Sequence, residues 1–158
     1  MRQLIDPLAR RIRLMVSRAV VRLVNDATKT QTMQVEILKG EVYSAIERMQ
    51  EYGISSVPRA GAEAIVLSLN GDRGHGVVIV AADKRYRLTG LEEGEVALHD
   101  DQGQSVIIKR DGIEINGQMI TLNGDTVING TVTNNGVNIG STHTHISAAP
   151  GNPTSVPS

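Results

Sequence analysis

The chain has 158 residues, enough for one ordinary domain and a smaller second piece. It carries no cysteine, which excludes a disulfide framework and thiolate metal ligation and fits assembly in a reducing cytoplasm. A formal net charge of −1 argues against a general nucleic-acid binder, and three Tyr without Phe or Trp leave little for a ligand pocket, a base-stacking platform or a membrane-interface belt.

Met1–Val16 is basic and amphipathic. Leu4, Ile5, Leu8, Ile12 and Met15 recur at three- and four-residue spacing, which predicts a helix with Pro7 in its first turn. Asp6, Arg10, Arg11 and Arg13 interrupt any signal-peptide core, and no apolar run in the chain is long enough to cross a bilayer. Arg2, Arg10, Arg11, Arg13, Arg18 and Arg22 stand against one acid, Asp6, in the segment up to Asn25. Such a segment serves as a docking arm for an acidic partner surface, as a solvated helix face, or as a membrane-surface helix, for which it lacks Trp and Phe.

Alternating and β-branched runs then predict strands over Ala19–Val24, Thr32–Leu38, Ala64–Leu69, Val77–Ala81, Tyr86–Leu88, Glu95–His99 and Ser105–Lys109. Val42–Gln50 reads as helix or strand, and Glu47–Pro58 as a further strand leading into a turn. Asn70–Gly76 is a glycine-rich hairpin connection; its glycines read G-x-x-G-x-G, which is not the dinucleotide-binding order. This many short strands within about a hundred residues indicate a small antiparallel barrel, with the OB fold as its nearest named form. His75 falls in the hairpin loop. His99 beside Asp100 and Asp101 marks a strand end running into a polar turn or a weak cation site. No local Ser/His/Asp or paired-carboxylate arrangement is visible, so no enzyme is predicted.

From Ser105 on the character changes. Asn-Gly pairs occur at Asn116, Asn123, Asn129 and Asn135, spaced by seven, six and six residues, with short β-branched runs between them. Asn-Gly tolerates positive φ and marks tight turns, and so short a period fits a stacked β structure. Each repeat has too few aliphatic residues to offset its chain entropy alone, so neighbours must complete it; two further copies wound about a common axis are the simplest completion. His143 and His145 follow, two residues apart and on one face if the strand continues. Three chains would supply six imidazole nitrogens, a set that suits an octahedral transition metal better than tetrahedral zinc. Pro150, Pro153 and Pro157 then stop β pairing in an uncharged, small-residue cap.

With these features the chain resembles the central spikes of contractile phage tails, the baseplate assembly protein V family, in its Mu-type form. The resemblance runs over nearly the whole length: the arginine-rich start, the OB-like middle, the Asn-Gly repeats, and His143-Thr144-His145 ahead of a short apex. It implies an all-β chain, an N-terminal OB-fold-like barrel followed by a trimeric intertwined β-helix with a short apex. The segments are then a basic arm at 1–16, the barrel at 17–104, the β-helix at 105–142, and a metal-binding tip and apex at 143–158. The resemblance further implies one iron ion per trimer on the axis, held by His143 and His145 of three chains. The expected partners are two further copies of the chain, the baseplate hub and other tail proteins. The host outer membrane is met transiently and mechanically as the spike punctures the envelope on sheath contraction; no nucleic acid and no small-molecule substrate is expected. The expected location is the tail baseplate of a virion, assembled in the host cytoplasm. Two other readings fit parts of the sequence. A receptor-binding trimeric fibre or adhesin tip needs a varied exposed surface near its end, and an OB-fold nucleic-acid-binding module predicts salt-dependent binding to single strands.

Overall fold

The computed structural model describes residues 2–141 and residue 143, with side chains from Pro7 onward. It is mostly β. Helix α1 spans Arg2–Leu14 as expected, but Pro7 lies inside it rather than in its first turn, because the helix already begins at Arg2. There the missing proline N–H removes one i→i−4 bond from the ladder.

Five strands close into a barrel: β1 (Val16–Asn25), β2 (Thr32–Leu38), β3 (Glu41–Arg48), β4 (Glu63–Ser68) and β5 (Gly76–Ala82), in the order β1-β2-β3-β5-β4 with β4 returning to β1. All neighbours are antiparallel except β3 and β5, which meet in parallel through Glu47↔Val77 and Arg48↔Val78. This is a five-stranded barrel of the kind expected. The segment left open at Val42–Gln50 is strand, and the further strand expected at Glu47–Pro58 is absent, since β3 ends at Arg48 and loop follows.

The interior is the inward half of a period-two pattern. Ala19 and Val21 of β1, Met33 and Val35 of β2, Ile46 of β3, Ala64 and Val66 of β4, and Val78 of β5 form one buried cluster with Ala62. Met33, Val21, Val35, Val66 and Val78 are fully enclosed. Each such side chain contributes about 1.5–3 kcal/mol of burial. The expected inward face Met33, Val35, Ile37 is correct, with Ile37 half-buried at the rim. In β3 one extra residue opposes β2 between Tyr43 and Ile46, and Ala45 takes up the bulge at φ 57°.

β4 and β5 are joined as predicted by the glycine-rich connection, which carries a 3-10 turn at Leu69–Gly71. Asn70 (φ 55°) and Gly71 (φ 73°) are both left-handed. A Cβ on Gly71 would stand 2.6 Å from the Arg11 carbonyl oxygen, so the absence of a side chain lets the end of α1 pack on this turn. Ser68 N–H donates to Met15 O at 2.8 Å and fixes the same junction.

Two sequence expectations are corrected downstream of the barrel. Tyr86–Leu88 is not a strand; Asp83 Oδ1 accepts from the Arg85 N–H, and the chain turns. The barrel closes at Ala82, and Val96–His99 does not join it. That strand, β6, instead pairs with β7 (Ser105–Ile108), which pairs with β8 (Ile113–Asn116), to make a separate antiparallel sheet. The expected boundary at 104/105 therefore falls within this sheet, between two paired strands. The reason is the tight Asp100–Gln104 turn, which folds β7 back on β6 and does not start a new layer.

By internal contacts the chain divides into Met1–Asn116 and Gly117–Ser158. In the second unit the described strands are two short ones, β9 (Thr133–Asn134) and β10 (Val137–Asn138). The runs at 119–122 and 126–128 are unpaired in the single chain.

Candidate functional site

β9 and β10 form a two-residue hairpin, Val137↔Asn134 and Asn138↔Thr133, turning at Asn135 (φ 49°) and Gly136 (φ 80°). Two consecutive positive φ values are what a type I′ turn requires, and Asn-Gly supplies them at least cost. This Asn-Gly pair makes the turn that the sequence predicts. Past the hairpin, Ile139 N–H donates to Val132 O at 2.9 Å, and Asn138 Oδ1 accepts from Gly140 N–H at 2.8 Å. The chain is thereby delivered to His143.

His143 is half-buried and meets the Gly140 carbonyl twice: its backbone N–H donates at 3.1 Å, and its ring Nδ1 lies 2.6 Å from the same oxygen. A carbonyl only accepts, so Nδ1 carries a proton. An imidazole whose Nδ1–H is held by a backbone carbonyl is oriented as metal-ligating histidines commonly are. His143 is held in this way by Gly140. His145 lies outside the described residues. Among the described residues no group of three or more His, Cys, Asp or Glu is gathered to hold a metal within one chain. Two histidines per chain would not make one in any case, because the expected ligand set is divided among copies.

A second feature was only half visible in the sequence. Val96, Ile108 and Ile113 stand opposite one another across β6, β7 and β8, and so do Leu98, Val106 and Ile115. Directly paired residues share a face, so all six aliphatic side chains form one uncharged patch. All are exposed in the single chain, from 38% for Val106 to 67% for Ile113. Alternation at 96/98, 106/108 and 113/115 was the available signal, but assigning β6 to the barrel separated it from β7. In the second unit Met119, Ile120, Leu122, Val127, Ile128, Val137 and Ile139 are exposed as well.

Other candidates resolve into structural roles. His75 sits exposed in the β4–β5 connection, its backbone bonded to Asp72 and Leu69. Asp100 closes the β6–β7 turn by accepting from the Gln102 and Gln104 backbone N–H groups at 2.9 Å, and these bonds, that to Gln102 foremost, hold its carboxyl below its ordinary range. His99 Nδ1 reaches the Asp100 carbonyl at 3.2 Å, at the start of the same turn. A cleft of about 610 Å³ runs between the Ser55–Arg59 loop, the end of β5 and this turn. Of its cations, Arg59 pairs with Asp101, Lys84 with Glu63, and Arg48 bonds to Gln31 and Ser56; Arg87 lines it as well. Arg59 and Arg85 lie over the Tyr86 ring at 5.8 and 5.3 Å, so that ring is covered by guanidinium groups.

Residues 18–85, the barrel with the turn after it, match the family model described as bacteriophage Mu Gp45, N-terminal. The chain is 42% identical over 110 residues to the "baseplate puncturing device gp45" of Escherichia phage Mu, covering 70% of this chain and 56% of that protein. It is 41% identical over 126 residues to the "Mu-like prophage FluMu protein gp45" of Haemophilus influenzae, covering 79% of this chain and 69% of that protein. The chain thus spans little more than half of the phage Mu relative.

Proposed function

Because the chain belongs to the bacteriophage Mu Gp45 family, we propose that it is the central spike of a contractile-tail baseplate, located in the tail baseplate of a virion and acting mechanically, without catalysis. The observation that carries this reading is the six-residue aliphatic face of β6–β8 together with the aliphatic residues exposed along 119–139. A lone chain would leave these residues in water, and an apolar face such as that of β6–β8 marks a protein interface. Each aliphatic side chain buried there adds about 1.5–3 kcal/mol. Three copies wound about one axis bury it, extend the β pairing that one chain leaves unfinished, and give a rod stiffened by bonds between all three chains.

At the point of the rod, His143 and His145 of the three chains would hold one metal ion, with iron as the family's resemblance implies. What supports His143 in this role is its Nδ1–H bond to Gly140, which orients the ring as metal-ligating imidazoles commonly are oriented. A bound transition metal cross-links the three ends where fraying would begin. On sheath contraction the trimer is driven through the host envelope, with the baseplate hub and other tail proteins behind it; assembly precedes this, in the host cytoplasm.

Native mass spectrometry with metal analysis on the untagged full chain tests both parts. A trimer carrying about one iron per three chains is expected for six nitrogen donors in an octahedral set, and His143→Ala with His145→Ala should remove the metal while leaving the trimer. A metal-free monomer overturns the spike reading. A double variant that keeps its metal moves the site elsewhere.

A further inference from the structure

We propose that α1 is a docking helix that seats in an acidic-rimmed apolar groove on a neighbouring protein. The barrel does not use the outer side of this helix. Its last turn is pinned to the Leu69–Gly71 turn through the close approach of Gly71 to the Arg11 backbone and through the Ser68 N–Met15 O hydrogen bond. Leu8 and Ile12 are 60% and 58% exposed, and Met15 is exposed too. Leu8 and Ile12 fall at i and i+4 on one side of α1, the anchor spacing of helix-in-groove recognition, and Met15 follows directly after the last helical residue. The apolar strip continues onto the barrel, because the Met15–Ser68 bond brings exposed Leu69 beside Met15.

Charge selects the occupant. Arg11, three residues after Leu8, borders the strip, while Arg10 and Arg13 lie further round the helix and add to its basic character. All three arginines are exposed. A second copy of the helix would bring like charges together, which opposes self-association. A bilayer surface would be met by a helix with no Trp or Phe to set at the headgroup level. An apolar groove edged with Asp and Glu satisfies both the strip and its border, and arginine is favoured in such interfaces. The proposal deepens the baseplate reading by naming the element and the chemistry of its partner surface, and it rests on that reading for the setting of its test.

A photo-crosslinking amino acid is placed at Ile12 in the full chain and, as a control, at Leu23, which is 62% exposed on β1 of the barrel. In purified tail particles the label at 12 is expected to join one other tail protein at a segment rich in Asp and Glu. Arg10→Glu, Arg11→Glu and Arg13→Glu together should lower that yield about tenfold with the oligomeric mass unchanged. Vesicles of phosphatidylglycerol should take up no label. Crosslinking to another copy of this chain, to lipid, or no more than the Leu23 control overturns the docking proposal, as does an unchanged yield after charge reversal. If the chain is absent from the particles altogether, the baseplate reading fails and the docking proposal falls with it; if it is present but not crosslinked from 12, only the docking proposal fails.

Discussion

Gln31 shows how much a single polar side chain can fix in a barrel whose apolar core is small. It is 5% exposed. Its Nε2 donates to Asp26 Oδ1 at 2.6 Å and to Ser56 O at 3.0 Å, while its Oε1 accepts from Arg48 Nη1 at 2.8 Å. One amide therefore ties the β1–β2 loop, the end of β3 and the long loop before β4. Burial pushes the Arg48 guanidinium down from its ordinary value, so this cation depends on its remaining acceptors. Gln31→Ala should leave the Ser56 carbonyl and Arg48 under-satisfied and lower the stability of the barrel by about 1–3 kcal/mol. Urea unfolding of the full chain followed by far-UV circular dichroism would read this as a lower midpoint. An unchanged midpoint would mean that water replaces the amide without loss. The salt bridge Arg18–Glu63 on the barrel exterior is solvent-exposed on both sides and adds little to stability, whereas in Arg22–Glu36 the carboxylate is mostly covered.

Among the elements, α1 is packed closely against one glycine of another element. Gly71→Val should displace the last turn of α1, because a Cβ at 71 would lie 2.6 Å from a backbone oxygen and no flexible side chain there can yield. The φ of 73° adds a left-handed strain of about 1–2 kcal/mol for a residue with a Cβ. Amide exchange in α1 is expected to quicken about tenfold or more while β1, β2 and β4 stay protected, as local opening of a peripheral helix requires. Equal protection of α1 in the variant would show that the helix is held by other contacts. This dependence was not legible in the sequence, where Gly71 is one of several glycines in a hairpin connection. What was legible were the features set by local periodicity: α1 from its apolar spacing, Thr32–Leu38 from alternation, and the turn at Asn135-Gly136 from a dipeptide that tolerates positive φ. Tyr86–Leu88 failed because a β-branched or aromatic run has no strand to form without a partner. The assignment of Val96–His99 failed because pairing is a property of two segments and alternation of one. The Nδ1 bond of His143 to Gly140 was not legible, because it depends on backbone geometry that spacing does not carry.

The whole molecule poses the question of what covers the face made by Val96, Leu98, Val106, Ile108, Ile113 and Ile115. In one chain Leu98 and Ile108 are 61% and 51% exposed, so Leu98→Lys with Ile108→Lys puts two ammonium groups where water already reaches. A protein that works as a single copy should tolerate the pair, since surface substitutions away from special features stay within about 0.5 kcal/mol. In a trimer that packs this face against itself, the same pair buries like charges near the axis and costs several kcal/mol per copy. The trimer is therefore expected to dissociate in sedimentation at micromolar concentration, while the barrel, whose core of Val21, Met33, Val35, Val66 and Val78 lies elsewhere, keeps its unfolding midpoint. A trimer that survives the substitution would show that the face is not the interface and would shift the burden of assembly onto the Asn-Gly tract. Loss of the barrel along with the trimer would show instead that β6–β8 supports the barrel within each chain. The three outcomes separate an intermolecular surface from an intramolecular one, which is the distinction on which a spike built from three chains turns.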